Sequence, residues 1–238
     1  MYKKKICLLV FVAIFYISHL ASFAQINDAQ FWENINIEKK LTQQLTVRAV
    51  QEGRFTENFT RPSFNYFDVG FNYKINKHLH ATLAYVWVEK RQLNDLLSTR
   101  HQAYTDLTIR KKFNNFLFSD RQMFLWQVKN YYTSPLGKFN DFYFRNKITI
   151  RYDKYFKVAP YIASEIYYRV YGPSEYMQYH FNRIRYFGGV FYRPDLINEF
   201  ELYYLIQHQF DRYNAPQNNN NLAKTNYWII GLGYSHSF

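Results

Sequence analysis

Few residues in this chain have the types and spacing for covalent chemistry. Ser235-His236-Ser237 sets a base beside two hydroxyl nucleophiles, and a hydrolase needs nucleophile, base and an orienting third group within hydrogen-bond reach. Adjacent residues on a strand point to opposite faces, so an extended segment turns His236 away from both serines. His78 and His80 share a face and could ligate a metal, yet no third ligand follows at metal-binding spacing. His101, His180 and His208 fall near segment ends, where an enzyme acting on lipid would work, but no carboxylate–His–Ser spacing connects them. The sequence therefore predicts no catalytic residue, no metal and no cofactor.

A richer set is charged. Asp106, Lys129, Arg145, Lys147, Arg151, Glu165, Arg169, Arg183 and Arg185 share the polar face of segments whose other face is apolar. Counting back from the short connections sets Arg145 opposite Glu165, Glu165 near Arg183 or Arg185, and Lys129 between Asp106 and Arg145. Asp106, Lys129, Arg145, Glu165, Arg183 and Arg185 would then form a charge belt across an enclosed lumen. One meaning of such a belt is structural: a narrow barrel fills its interior with its own side chains, and buried charges need partners. The other is an anion-preferring constriction, because Arg and Lys outnumber carboxylates on this face.

The elements that must position these residues show as period-two alternation, the mark of strands with two unlike faces. Phe67, Val69, Phe71, Tyr73 and Ile75 alternate with Asp68, Gly70, Asn72 and Lys74. Leu79, Ala81, Leu83, Tyr85 and Trp87 share a face, as do Trp228, Ile230, Leu232 and Tyr234. Further runs occupy 31–38, 43–54, 101–113, 122–132, 142–153, 157–169, 180–192 and 198–209. No sustained 3.6-residue period follows the first segment. Each run except 31–38 reaches the roughly 9–11 residues that a tilted strand needs to cross a bilayer. Short connections near Lys39–Thr42, Asn76–Lys77, Asn114–Arg121, Asp153–Lys157 and Pro194–Ile197 alternate with longer ones at Phe55–Ser63, Lys90–Arg100, Thr133–Asp141, Tyr171–Tyr179 and Asp211–Lys224. Short periplasmic turns alternating with longer external loops is the outer-membrane arrangement. Bacterial single-chain barrels carry an even number of strands. Either the short first run does not cross, leaving ten, or one crossing is hidden, giving twelve.

Composition fits the same class. Aromatics are 21% of the chain while mean hydropathy is −0.44, which excludes a helical membrane protein and suits a barrel with aromatic girdles and a polar inside. Tyr85, Trp87, Trp126, Tyr132, Tyr168, Tyr192 and Trp228 lie toward run ends, where amphipathic rings suit the membrane–water boundary. A carbohydrate platform of Tyr171, Tyr176, Tyr179 and Tyr213 is the less favoured use of the loop aromatics. Lys3, Lys4 and Lys5, the apolar stretch Ile6–Ile17 and Ser22-Phe23-Ala24 read as a secretory leader over residues 1–24, leaving a barrel over 25–238. Cys7, the one cysteine, falls inside that leader, so a processed chain has no disulfide or thiolate chemistry. The formal net charge of +12 is read as attraction to anionic lipid and lipopolysaccharide head groups rather than to nucleic acid, since the chain is exported.

Phe238, preceded by Ile230, Leu232 and Tyr234 on one face, resembles the C-terminal insertion signal of outer-membrane barrels, with His236 departing from the usual aromatic. Nearly the whole processed chain resembles the uncharacterised outer-membrane family "domain of unknown function 2490". The resemblance rests on Phe31-Trp32, Glu38-Lys39-Lys40-Leu41-Thr42, Phe67-Asp68-Val69-Gly70-Phe71 and Gly231-Leu232-Gly233-Tyr234. It implies a barrel and brings no catalytic residue or ligand.

The expected fold is all-β: a closed antiparallel transmembrane barrel of 10–12 strands in a Gram-negative outer membrane. The expected role is porin-like, a narrow small-solute channel, or else a structural or surface-binding barrel with a filled lumen. An outer-membrane enzyme acting on lipid or lipopolysaccharide, and a soluble periplasmic lipid-binding β protein, are the alternatives. Expected partners are outer-membrane lipids and lipopolysaccharide, and the insertion machinery during assembly; the oligomeric state is open.

Overall fold

A computed structural model describes residues 27–91, 97–129, 139–155, 157–172, 181–211 and 223–238. The expected leader, His180, Tyr132, Tyr176, Tyr179 and Tyr213 lie outside these residues. Eleven strands follow in order: β1 (Asn27–Lys40), β2 (Leu45–Thr56), β3 (Arg61–Lys74), β4 (Leu79–Arg91), β5 (Leu97–Phe113) and β6 (Phe116–Lys129). Then come β7 (Phe139–Tyr152), β8 (Val158–Tyr171), β9 (Phe181–Tyr192), β10 (Asn198–Asp211) and β11 (Ala223–Ser237). Each strand pairs with its sequence neighbours, and β1 meets β11 to close the barrel.

Each alternating run of the sequence is one strand, including the first. The even count is corrected: β1 spans 14 residues and no twelfth strand joins the described sheet. With eleven strands running alternately, the first and last point the same way, so closure is parallel. Asn27–Glu38 pair in register with Asn226–Ser237. The other neighbours are antiparallel. At the seam's lower end Phe238 N–H donates to the Glu38 carbonyl (2.9 Å), and Asn36 Nδ2 donates to Ser235 Oγ (3.4 Å).

Three boundaries differ from expectation for identifiable reasons. The β2–β3 connection is only 57–60, because the ladder continues to the Thr56–Arg61 pair. The β5–β6 connection is Asn114-Asn115 rather than Asn114–Arg121, with Asn114 at φ 51, a left-handed conformation Asn tolerates. The apolar outward series Phe116, Phe118, Phe124, Trp126 was hidden because outward positions 120 and 122 hold Asp and Gln. The third is β7, which begins at Phe139, so Asp141 is a strand residue rather than part of a loop.

The outward face is exposed and apolar, with Val69 (55%), Leu83 (64%), Phe124 (57%) and Ile162 (62%) among its residues. The inward face holds two packed clusters. One joins Ala84, Val86, Val88, Tyr104, Met123, Leu125 and Tyr143, with Phe64 and Tyr66 against it. The other joins Trp32, Tyr161, Tyr203, Leu205 and Ile229. Apolar side chains thus cover the exposed outside while charges such as Asp68, Asp106, Glu165 and Arg185 are buried inside, the inverse polarity of a soluble sandwich, so the soluble β alternative finds no support in the side-chain pattern. Gly231 belongs to the second cluster: a Cβ there would strike the Tyr203 ring, so the missing side chain makes room for that tyrosine.

Candidate functional site

The lumenal charges fall into levels along the wall formed by β6 to β9. Each strand sends alternate residues inward, and on these four strands the inward positions are rich in Arg and Lys. At mid-height the ladder aligns Arg121, Lys147, Glu165, Arg185 and Gln207 as consecutive partners across β6–β10. Glu165, 2% exposed, is the centre of that row. Its Oε1 accepts from Arg145 Nη2 at 2.8 Å and Arg121 Nη2 at 3.2 Å; its Oε2 accepts from Arg185 Nη1 at 3.2 Å. Arg185 also donates to Gln207 Oε1 (2.8 Å) and to the Tyr167 hydroxyl. Three cations around one carboxylate leave excess positive charge, spread over aromatic faces. Arg145 and Arg183 lie 4.3 and 5.0 Å from the Tyr167 ring, Arg185 lies 5.0 Å from Trp32, and Lys147 lies 4.2 Å from Phe187.

Toward the long-loop end a second carboxylate, Asp141, pairs with Lys129 (2.8 Å) and Arg169 (3.8 Å). The Arg169 guanidinium also donates to the Tyr143 hydroxyl at 2.9 Å. At the short-turn end Arg193 bridges Asp153 (3.1 Å) and Glu199 (2.5 Å), with Arg151 3.6 Å from Asp153. Burial pushes the Asp153 carboxyl up, but the Arg193 hydrogen bond and the field of Arg151, Arg193 and Lys112 override it, so it ends below the ordinary range. Across the barrel Arg48 Nη2 meets Asp68 Oδ2 at 2.8 Å, and Tyr104 donates to the same oxygen at 2.6 Å. Arg48 also donates to the Tyr104 hydroxyl.

Of the six residues expected to form a belt, the structure brings Arg145, Glu165 and Arg185 into direct contact, with Arg183 beside them on Tyr167. Asp106 and Lys129 lie elsewhere. Met123 stands between Asp106 and Arg145 in the ladder. Asp106 accepts from Thr108 Oγ1 (3.2 Å), whereas Lys129 sits opposite Arg100 and Phe139 and pairs with Asp141. Arg121 and Asp141 fall where the spacing predicts a turn and a loop, and the structure places both on strands, β6 and β7, with inward side chains. The alternation of Arg121, Met123, Leu125, Gln127 and Lys129 on one face is the signal that would have found Arg121.

The tempting hydrolytic trio separates as strand geometry requires. Ser235 and Ser237 face the lumen with Asn36 and Glu38, while His236 faces outward with Tyr234, its Nδ1 2.8 Å from Asn198 Oδ1. Outward too are His101, bonded to the Tyr85 hydroxyl (2.5 Å), and His208, bonded to Asn226 (2.6 Å). Among the described residues no group of three His, Cys, Asp or Glu side chains is placed to hold a metal. Outward Ile230, Leu232 and Tyr234 line one face of β11, ending in Phe238, whose ring lies 4.3 Å from His236.

No curated protein sequence matches the chain. Among solved structures the chain is similar to the NanC porin, at 12% sequence identity and a TM-score of 0.50, over 89% of this chain and 99% of that one. At that identity the likeness shows a shared transmembrane-barrel fold. A family model covers residues 29–221, from β1 to beyond β10, and by that match the chain belongs to the family described as "Protein of unknown function (DUF2490)".

Proposed function

We propose that this protein is a narrow outer-membrane channel that favours small acidic solutes. The observation that carries the proposal is the imbalance of charge on one lumenal wall. The inward face of β6 to β9 presents Arg121, Lys129, Arg145, Lys147, Arg151, Arg169, Arg183 and Arg185 against Asp141 and Glu165. Away from the turns, the remaining strands turn inward the carboxylates Glu52, Asp68, Asp106 and Glu201 together with the cations Arg48, Arg54 and Arg100. Glu52 and Asp68 are paired with Arg54 and Arg48, so the cationic excess lies on the β6–β9 wall. A field directed across a narrow passage holds an anion against one wall, and the spacing of cations along that wall gives it successive weak sites.

Two details support a wetted path. Arg121 and Arg145 point inward yet keep 32% and 19% of their side chains exposed. The Nε atoms of Arg48, Arg100, Arg145 and Arg151 are buried donors without an acceptor among the described residues, and such groups call for water or an anion. The name of the similar NanC porin agrees with a channel role.

A second reading has its own observation. Val86 and Val88 (1%), Leu205 and Ile229 (0%) point inward and are sealed from water, as in a barrel filled by side chains for structural or surface-binding use. Planar-bilayer conductance of the refolded protein separates the two. The channel reading expects discrete openings with anion preference, reduced or reversed by Arg145→Glu with Arg185→Glu. A folded barrel that never opens would overturn it in favour of the filled lumen. Processing after Ala24 and insertion through the Phe238 signal belong to the same outer-membrane reading; cleavage is tested by the mass of the mature chain, and insertion by deleting Phe238.

A further inference from the structure

The lipid-facing wall is interrupted on β6 and β7 by three polar side chains, Asp120, Gln122 and Asn146, which point outward in the series of Phe118, Phe124, Phe144 and Ile148. Asn146 Nδ2 donates to Asp120 Oδ1 (2.5 Å), and Gln122 Nε2 donates to Asp120 Oδ2 (3.3 Å). Gln122 and Asn146 sit in mid-strand, and Asp120 lies four residues from the short-turn end of β6. The outward ladder neighbours of this polar island are apolar and exposed: Leu107 (48%), Ile109 (50%) and Ile148 (52%).

In hydrocarbon a polar group is satisfied by protein or not at all, and an ionisable side chain held at that depth marks an interaction. The internal bonds leave capacity unused. Gln122 Oε1 and Asn146 Oδ1 accept no hydrogen bond among the described residues, and each amide keeps an N–H to donate. Both donors and acceptors remain, so the surface complements itself. A two-fold axis near Gln122 sets each copy's amides against the other's Asp120, which separates the two carboxylates and satisfies both. Closed homodimers use such an isologous patch, and amide and carboxyl groups join membrane segments in this way. We propose that the β6–β7 face is where a second copy of this chain docks, forming a two-fold dimer within the membrane.

The test is cross-linking in intact membranes. In a Cys7→Ser background, Ile148→Cys places a thiol beside the island without altering it, and Leu202→Cys (51% exposed, on β10) places one on another part of the wall. A short bis-maleimide should yield a product of twice the chain mass from Ile148→Cys and not from Leu202→Cys. Adding Asp120→Leu, Gln122→Leu and Asn146→Leu should cut the cross-linked fraction by roughly tenfold, the effect of losing about two intramembrane hydrogen bonds. Heat-modifiable migration verifies that each variant is folded. Gln122→Leu alone, the mildest change, should still reduce the product severalfold. Equal cross-linking at both sites, indifference to the leucine substitutions, or a product of any other mass would overturn the proposal. The conductance of the lumen is not expected to change, so this test and that of the channel are independent.

Discussion

Replacing Glu165 by Gln keeps the shape of the mid-lumen row and removes its central charge. Three guanidinium groups lie 2.8–3.2 Å from the carboxylate oxygens. Each such contact, with charge centres about 4 Å apart, contributes about 4 kcal/mol of attraction at an effective dielectric near 20. Desolvation and repulsion among the cations offset most of that sum, which is why deleting one member of a buried cluster costs about 3–5 kcal/mol rather than more. Because Arg145 and Arg121 remain 19% and 32% exposed, water screens part of the loss, and about 2–3 kcal/mol is expected. Urea titration of the protein folded in lipid, read by heat-modifiable migration and tryptophan emission, measures it; Trp32 lies 5.0 Å from Arg185 and reports locally. Adding Arg185→Gln removes one of the stranded cations and should restore about half of the loss through coupling between contacting residues. The reasoning fails if Glu165→Gln stays within about 0.5 kcal/mol of the parent, as ordinary surface substitutions do, or if the double variant recovers nothing.

Other outcomes follow from separate parts of the barrel. Gly231→Ala should destabilise by about 1–3 kcal/mol through overpacking against Tyr203; Tyr203→Leu should relieve it, and additive losses in the same titration would contradict the packing account. Asp195 accepts from the Asn198 side chain (2.7 Å) and the Ile197 amide (2.9 Å), and these bonds hold its carboxyl below the ordinary range. A lowered carboxyl stabilises the folded state above its unfolded value, about 3.9, and that contribution is lost as pH falls. Asp153 shares the sign through Arg193. The short-turn end should therefore loosen below about pH 4, seen as faster amide exchange of 193–197, and Asp195→Ala should already exchange faster at neutral pH.

How much of this was legible follows from which forces act locally. The two faces of each strand are written in alternation, so the inward placement of Glu165, Arg145 and Arg185 could be read without coordinates. Register was legible only to within two residues: counting across the β7–β8 turn sets Arg145 opposite Glu165, whereas the ladder pairs Glu165 with Lys147 and Arg145 with Tyr167, and Arg145 reaches the Glu165 carboxylate diagonally. It was not legible where loop ends had been misjudged. Moving the start of β7 to Phe139 turned Asp141 inward and gave Lys129 its carboxylate. Contacts that skip one strand, such as Arg121 with Glu165, or two, such as Arg48 with Tyr104, depend on barrel shear and side-chain reach, which alternation does not encode. Parity misled in a different way. An even count assumes that a closed barrel returns to its starting edge antiparallel, and nothing in the period-two pattern records the direction in which β1 meets β11.

The parallel seam also bears on how such a chain assembles. Ten hairpin-linked interfaces join neighbours that are close in sequence, and each can zip from its own turn. The eleventh joins Asn27–Glu38 to Asn226–Ser237, so its loop-closure entropy is the largest in the sheet, and no turn sets its register. Parallel pairing is also slightly weaker per residue. Closure is therefore the slow, non-local step of folding, and β1 is the strand whose departure reopens the sheet while leaving the β2–β11 ladders intact. A hydrogen-exchange experiment should find β1 and β11 exchanging ahead of β6 and β7, which share their edges with hairpin partners on both sides.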